Sequence, residues 1–104
     1  MRIISGKHKR KKIKPPPRLK LRPTTDRAKE GLFNILENRF DLKIVKVLDL
    51  YSGTGSISYE FCSRGCKQVT AVDKDLNSTK FITKMSIELD MKIKTINQEC
   101  LDFL

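Results

Sequence analysis

The stretch that decides the fold spans residues 44–55 and reads IVKVLDLYSGTG. It begins with an apolar run rich in β-branched side chains, which is typical of a strand buried in a parallel sheet. Gly53 and Gly55 follow shortly after. A glycine lets the backbone turn tightly and approach a ligand closely because it has no Cβ atom. We therefore predict a strand, a ligand-binding turn and a helix that begins near Ser56.

Strand and helix patterns alternate along the chain, which is typical of a doubly wound α/β fold with right-handed crossovers. Upstream, capping oxygens at Thr24 and Thr25 predict a helix that ends near Arg39. Its predicted buried face consists of Ala28, Leu32, Ile35 and Leu36, widened by Phe33. Downstream we predict a helix over 56–64, a strand over 68–72, a helix over 77–89 and a strand over 93–96. Three strands make about half of such a sheet, so we expect a truncated form whose third strand is an open edge that favours dimerisation.

The positive charge is concentrated at the N-terminus. Of the 22 Lys and Arg residues, ten lie within residues 1–22, which contain no acidic residue, and the other 12 are balanced by 12 acidic residues. We predict a basic arm over 1–22, with a possible hairpin, and a domain over 23–104. A cationic arm on a neutral body is typical of proteins that bind a phosphate backbone, although a solvated tail or a nuclear localisation signal would have similar composition. The candidate contacts are Arg2, Lys7, Lys9, Arg10, Lys11, Lys12 and Arg22.

The cysteines favour a reducing compartment. There are three of them, an odd number without the spacing of a disulfide framework. No apolar run reaches the ~18–20 residues that span a bilayer, so we expect a cytoplasmic protein without a membrane partner. Cys62 and Cys66 lie four residues apart with no nearby histidine, so we interpret them as core thiols and predict no metal site. Tyr51 and Phe33 are interpreted as packing residues.

Two carboxylates flank the glycine turn in the sequence. Asp49 lies four residues before Gly53, and Asp73 lies twenty residues after it, at the predicted end of the next strand. Parallel strands end at one edge of a sheet, where open α/β sheets bind ligands. Asp73 could accept hydrogen bonds from ribose hydroxyls, and Asp49 could attract the ammonium group of S-adenosylmethionine. A dinucleotide site would need a third glycine where Ser58 stands, so the pattern favours S-adenosylmethionine over NAD.

Several blocks resemble the bacterial small-subunit ribosomal RNA guanine-N2 methyltransferase family. They are residues 1–7 (MRIISGK), 21–27 (LRPTTDR), 33–34 (FN), 47–56 (VLDLYSGTGS), Glu60, 63–65 (SRG) and 72–75 (VDKD). The 22–27 block is the most specific, and the resemblance covers nearly the whole chain. It implies a class I (Rossmann-like) S-adenosylmethionine-dependent methyltransferase fold, truncated to about half the sheet, and ribosomal RNA as partner.

Carried over to this chain, the resemblance places Asp49, Ser52, Gly53 and Gly55 along the methionine part of the cofactor, Asp73 at the ribose and Glu99 at the adenine. It also implies that residues 22–27 pack over the cofactor. Two features depart from the family: Met85 stands near a position where relatives usually have Asn, and the catalytic Asp/Asn-Pro-Pro-aromatic motif is absent. We therefore expect the 104 residues to be inactive alone. A catalytically inactive RNA- or ribosome-binding module and a DNA amine methyltransferase remain alternatives. Since the cofactor residues lie outside the arm, removing residues 1–20 should leave cofactor binding nearly intact.

Overall fold

The computed structural model describes residues 1–17, 19 and 24–104, and within them the predicted alternation of strands and helices is confirmed. The elements are α1 (Asp26–Arg39), β1 (Lys46–Leu50), α2 (Ser56–Ser63), β2 (Gln68–Asp73), α3 (Leu76–Glu88), β3 (Ile93–Asn97) and α4 (Cys100–Phe103). The three strands form one parallel sheet in the order β1-β2-β3. Among the described residues, no helix is long and apolar enough to cross a membrane.

The register of the sheet places the carboxyl ends of all three strands at one edge. Leu50 pairs with Val72, and Asp73 pairs with Asn97. β2 is the central strand, and its Val69, Ala71 and Val72 are almost completely buried. Both β1 and β3 lie at the sides of this sheet, so the described chain has a second unpaired strand edge in addition to the predicted one at β3.

β1 begins two residues later than the apolar run suggested. Ile44 is 79% exposed and lies in a turn in which its N–H donates to the Asp41 carbonyl. The Asp41 carboxylate also accepts a hydrogen bond from the Lys43 N–H. An aspartate that bonds the backbone two residues ahead stabilises a turn, and this local bond competes with extension of the strand.

The buried face of α1 differs from the predicted one. Phe33 is buried as predicted and Leu36 is partly buried, but Ala28, Leu32 and Ile35 are exposed, and Lys29 is buried instead. Thr25 caps the helix as predicted, because its hydroxyl accepts a hydrogen bond from the Ala28 N–H. The prediction was wrong for Ala28, Leu32 and Ile35, and it did not include Lys29, which is stabilised inside the protein by a carboxylate distant in sequence.

That carboxylate belongs to Glu60 on α2, which is fully buried. Its oxygens lie 3.5 Å from the Lys29 ammonium and 2.8 Å from the Arg64 guanidinium. They also accept hydrogen bonds from the N–H groups of Ile4 and Ser5. Burial lowers the pKa of Lys29, and the negative charge of Glu60 opposes that shift. A buried charge needs such partners because leaving water is costly.

The N-terminal residues form a hairpin that packs on the body of the protein. Arg2 and Lys12 form an antiparallel bridge, and Ile3 and Ile13 are buried in the same apolar cluster as Tyr59 on α2. Gly6 contacts Ser63 so closely, at φ +89°, that a Cβ atom there would overlap the Ser63 carbonyl. The first residues of the predicted arm are therefore part of the core. This packing does not support the expectation that removal of residues 1–20 leaves cofactor binding nearly intact, and that expectation stays a prediction.

Candidate functional site

Asp49 lies near the carboxyl end of β1, beside the start of α2. The Ser58 hydroxyl donates a 2.7 Å hydrogen bond to its carboxylate. Burial raises the pKa of Asp49, the hydrogen bonds from Ser58 oppose that rise, and the negative charge of Asp73 adds to it. Within residues 1–17, 19 and 24–104, no ion pair includes Asp49. In this described part of the chain, its ionised carboxylate therefore has no cationic partner.

The glycine turn follows β1 and has the backbone conformations that the sequence predicted. Gly53 and Gly55 have φ values of +57° and +91°, which favour glycine over residues with a Cβ atom. A Cβ atom on Gly55 would come within 2.7 Å of the Tyr59 ring. Ser52 anchors the other side of the turn, because its N–H donates to the Val72 carbonyl at 3.1 Å and its hydroxyl lies 3.4 Å from the same oxygen. The turn is therefore held against both α2 and β2.

Asp73 connects the ends of the first two strands. One carboxylate oxygen accepts a 2.9 Å hydrogen bond from the Gly53 N–H, and the other accepts one from the Asp75 N–H, also at 2.9 Å. Each oxygen of an ionised carboxylate can accept a second hydrogen bond. Asp73 can therefore brace the turn and still receive hydroxyl donors from a ligand.

The end of β3 joins the same edge. The side-chain amide of Asn97 donates to the carbonyls of Asp73 and Lys74, at 3.2 and 2.9 Å. Glu99 is half-buried and precedes α4, and the next residue, Cys100, accepts a hydrogen bond from the Tyr51 N–H at 3.2 Å. The structure thus brings Asp49, Ser52, Gly53, Gly55, Asp73 and Glu99 to one side of the molecule. Sequence reasoning did not single out Asn97 or Cys100, since their contacts are long-range and neither type marks a site by itself.

Tyr51 differs from its interpretation as a packing residue. Its side chain is 64% exposed, and its φ of +55° is uncommon for a residue other than glycine. Backbone strain of this kind is concentrated at ligand sites and switch regions. Phe33, interpreted in the same way, is fully buried and packs edge-on against Phe61 at 4.6 Å between ring centroids. The sequence signal that could have identified Tyr51 as part of the site is its position just before the glycine turn.

The candidate contacts on the arm have different surroundings. Arg2 forms a 2.6 Å ion pair with Asp26, so its charge is partly neutralised. The other described candidates are Lys7, Lys9, Arg10, Lys11 and Lys12, all of them exposed. Arg22, and Pro23 in the block 22–27, lie outside the described residues. Within that block, Thr25 caps α1 and Asp26 pairs with Arg2.

Cys62 lies at the carboxyl end of α2 and Cys66 shortly after it, whereas the glycine turn precedes the amino end of this helix. Cys66 is buried, and burial raises the pKa of the Cys62 thiol to about 12. A thiol with such a pKa stays protonated at neutral pH, and the thiolate is the form that attacks electrophiles or binds metals. Cys62 is therefore a packing group in this structure, and Cys66 is buried in an apolar cluster with Phe33 and Phe61.

Comparison with known proteins identifies relatives along the whole chain. The model of the family described as "conserved hypothetical protein 95" matches residues 1–104. The chain is 36% identical over 107 residues to ribosomal RNA small subunit methyltransferase D of Haemophilus influenzae, covering 100% of this chain and 54% of that protein. It is 35% identical over 107 residues to an uncharacterized methylase of Rickettsia prowazekii, covering 93% of this chain and 45% of the relative.

A solved structure gives the same result for the fold. A putative methyltransferase from Escherichia coli superposes with a TM-score of 0.87 at 27% identity, over 99% of this chain and 55% of the other. The chain thus spans about half the length of the relatives it matches. The predicted Rossmann-like methyltransferase fold, in the form of a partial sheet, is confirmed by this superposition.

Proposed function

The chain belongs to the family described as conserved hypothetical protein 95, and we propose that it forms the S-adenosylmethionine-binding part of a methyltransferase that acts on small-subunit ribosomal RNA, at the N2 amine of a guanine. The observation that carries the proposal is the pair of carboxylates, Asp49 and Asp73, on either side of a glycine turn. Relatives named as ribosomal RNA methyltransferases support the reaction class and the RNA substrate.

The residues present fit this cofactor chemically. We assign Asp49 to the ammonium group, because its carboxylate is half-buried and forms no ion pair with any residue that the structure describes. The glycine turn, together with Ser52, would border the methionine part, and Asp73 would accept the ribose hydroxyls on its free lone pairs. Glu99 would contact the adenine. S-adenosylmethionine supplies an electrophilic methyl group when bound, and the two carboxylates favour its positive charge.

The same charges argue against a dinucleotide. A pyrophosphate brings negative charge to the glycine turn, where Asp49 and Asp73 already repel each other. The third glycine of a dinucleotide motif is replaced by Ser58, whose hydroxyl is bonded to Asp49. The glycine turn therefore favours a ligand in which the group next to the turn is positively charged.

We assign cofactor binding and RNA contact to these 104 residues, and not the methyl-transfer step. Orienting a guanine amine needs acceptor groups such as those of an Asp/Asn-Pro-Pro-aromatic motif, and the consecutive prolines of this sequence, Pro15 to Pro17, follow Lys14 within the basic arm. The exposed cations of the arm would hold the RNA backbone. Three free cysteines and a ribosomal RNA substrate point to the cytoplasm.

Calorimetric titration with S-adenosylhomocysteine tests the cofactor assignment. Asp73→Asn removes the charge and one acceptor, and hydrogen bonds to charged groups contribute about 1.5–3 kcal/mol, so affinity should fall by about ten- to 150-fold. Asp102→Asn, an exposed carboxylate in α4, is the matched control and should bind like the unsubstituted chain. Binding of NAD with no response to S-adenosylhomocysteine would contradict the proposal.

A further inference from the structure

A second feature lies at the opposite end of the sheet from the cofactor residues. A pocket of about 370 Å³ opens where three segments meet: the turn of the N-terminal hairpin, the loop between α2 and β2, and the turn between α3 and β3. We call it the amino-end pocket, because Lys67 and Lys92, which line it, immediately precede the first residues of β2 and β3. Lys7 and His8 line it from the hairpin.

The lining of the amino-end pocket is strongly basic. Lys7, Lys67 and Lys92 contribute ammonium groups, and Asp90 is the carboxylate among the described lining residues. Ion pairs in the described part of the chain involve Arg2, Lys29 and Arg64, and none of the three pocket lysines lies within 4.0 Å of a carboxylate there. Their charges are therefore available to an anion.

His8 adds a polar atom without a partner. Its backbone N–H is fixed by a 3.0 Å hydrogen bond to the Ser63 hydroxyl, while its Nδ1 atom is buried and has no hydrogen-bond partner among the residues that the structure describes. Buried polar atoms nearly always have a partner in the protein, in water or in a ligand. Because His8 lines the same pocket as the three lysines, a polar group bound in this pocket is the candidate partner of the ring nitrogen.

The basic surface continues beyond the amino-end pocket in two directions. An adjoining cavity of about 410 Å³ shares Lys67 and Lys92 and adds Lys94 on β3. On the other side, Lys9 and Arg10 are exposed on the hairpin turn. A lone phosphate would occupy one cavity, whereas two cavities that share lysines suit consecutive phosphates of a chain.

We propose that the amino-end pocket binds the sugar-phosphate backbone of RNA, with Lys7, Lys67 and Lys92 as cationic contacts and His8 Nδ1 as a hydrogen-bonding contact. The inference rests on the proposed function for the identity of the polymer. It extends RNA contact from the arm to Lys67 and Lys92, which are distant from the arm in sequence. Lysines hold phosphates as point charges and so fix the position of the RNA without reading its sequence.

The test compares two double variants with equal loss of charge. Lys67→Ala/Lys92→Ala alters the pocket, and Lys80→Ala/Lys84→Ala alters exposed lysines of α3. Binding of a labelled single-stranded RNA is followed by fluorescence anisotropy at several KCl concentrations. Each lost phosphate contact should reduce the slope of log affinity against log salt by about 0.7, so the pocket variant should lose up to about 1.4 and the control little. Equal losses in both variants would show a diffuse field and overturn the proposal.

The variant His8→Phe distinguishes a specific contact of RNA with the pocket from general electrostatic attraction of RNA to the basic surface. Phenylalanine keeps a ring of similar shape without the nitrogen, so RNA affinity should fall severalfold while the salt slope stays unchanged. Affinity equal to that of the unsubstituted chain would also overturn the proposal. Each variant is titrated with S-adenosylhomocysteine in parallel. If the pocket variants lose RNA binding and retain cofactor binding, the pocket is supported. If the unsubstituted chain does not bind the cofactor, the proposed function is contradicted, and the RNA measurements still test the pocket.

Discussion

Replacing Glu60 should destabilise the protein more than any change of comparable size on its surface. Glu60 is fully buried and is the shared partner of Lys29 and Arg64, which are themselves 1% and 5% exposed in their side chains. It also accepts from the N–H groups of Ile4 and Ser5. Glu60→Ala leaves two buried cations and two amides without this acceptor. Removing one partner of a buried ion pair costs about 3–5 kcal/mol.

That loss would be a large share of the total stability, which is about 5–15 kcal/mol for a typical domain. Glu60→Gln should cost less, because the amide keeps one oxygen acceptor and nearly the same shape. Lys29→Met removes the opposing charge, so the double variant Glu60→Gln/Lys29→Met should cost less than the sum of its single changes, by about 0.5–3 kcal/mol. Glu30→Ala, on the exposed side of α1, is the control and should change stability by less than about 0.5 kcal/mol.

Urea unfolding followed by circular dichroism gives these free energies, and amide hydrogen exchange locates the change. The Ile3 and Ile13 amides donate hydrogen bonds across the hairpin. Glu60→Ala should therefore increase the exchange rates of these two amides more than it increases the exchange rates of the β2 amides. Ordinary point substitutions lower the free energy of unfolding by about 1 kcal/mol. A loss smaller than this for Glu60→Ala would refute the view that Glu60 holds the hairpin in place.

Three further predictions, two of them with a control substitution, test other parts of the structure. Gly6→Ala should loosen the hairpin because a Cβ atom would overlap Ser63, whereas Gly31→Ala, with open space around it in α1, should stabilise by about 1 kcal/mol in the same melts; similar effects of both would contradict the packing. Asp49→Asn should raise stability at pH 7, because the raised pKa makes burial of the ionised carboxylate costly; this advantage should shrink as the pH falls through that pKa and the native carboxyl is protonated. The same variant should bind S-adenosylhomocysteine more weakly, and a pH-independent difference in urea unfolding would contradict the assignment. Leu48→Lys on the unpaired β1 side should reduce self-association in sedimentation velocity more than Ile87→Lys on α3, and a monodisperse unsubstituted chain would contradict the expected association.

Much of the fold could be predicted because local signals agree with it. Thr25 and Asp75 cap α1 and α3, and the apolar spacing of Ile82, Met85 and Leu89 matches the buried face of α3. The family was predicted from short blocks and is confirmed by the match over residues 1–104. Phe33 was predicted correctly on the buried face of α1, but Lys29 was missed, because periodicity treats a lysine as polar and the carboxylate that stabilises it lies 31 residues away on α2.

The candidate site was predictable in outline for a topological reason. Parallel strands end at the same edge, so Asp49 and Asp73 had to lie near each other once two strands were assigned. The sequence could not show that Asp73 accepts the Gly53 N–H, nor that Tyr51 would be exposed with a positive φ. Those features depend on how the loop after β1 packs against the ends of β2 and β3, through the contacts of Gly53 with Asp73 and of the Tyr51 N–H with Cys100.

The hairpin and the cofactor turn are connected through one side chain, and this connection determines how RNA binding must be tested. The Lys29 ammonium donates to the Arg2 carbonyl at 2.6 Å and to the Ser56 hydroxyl at 3.1 Å. Ser56 is the first residue of α2 and directly follows Gly55. Deleting the hairpin would therefore remove the cationic arm, leave Glu60 without its amide donors and free one contact of the helix that begins at the glycine turn. A loss of both RNA and cofactor binding after such a deletion would follow from misfolding alone. Substitution of exposed arm lysines changes only the charge, so it separates RNA contact from the integrity of the cofactor turn.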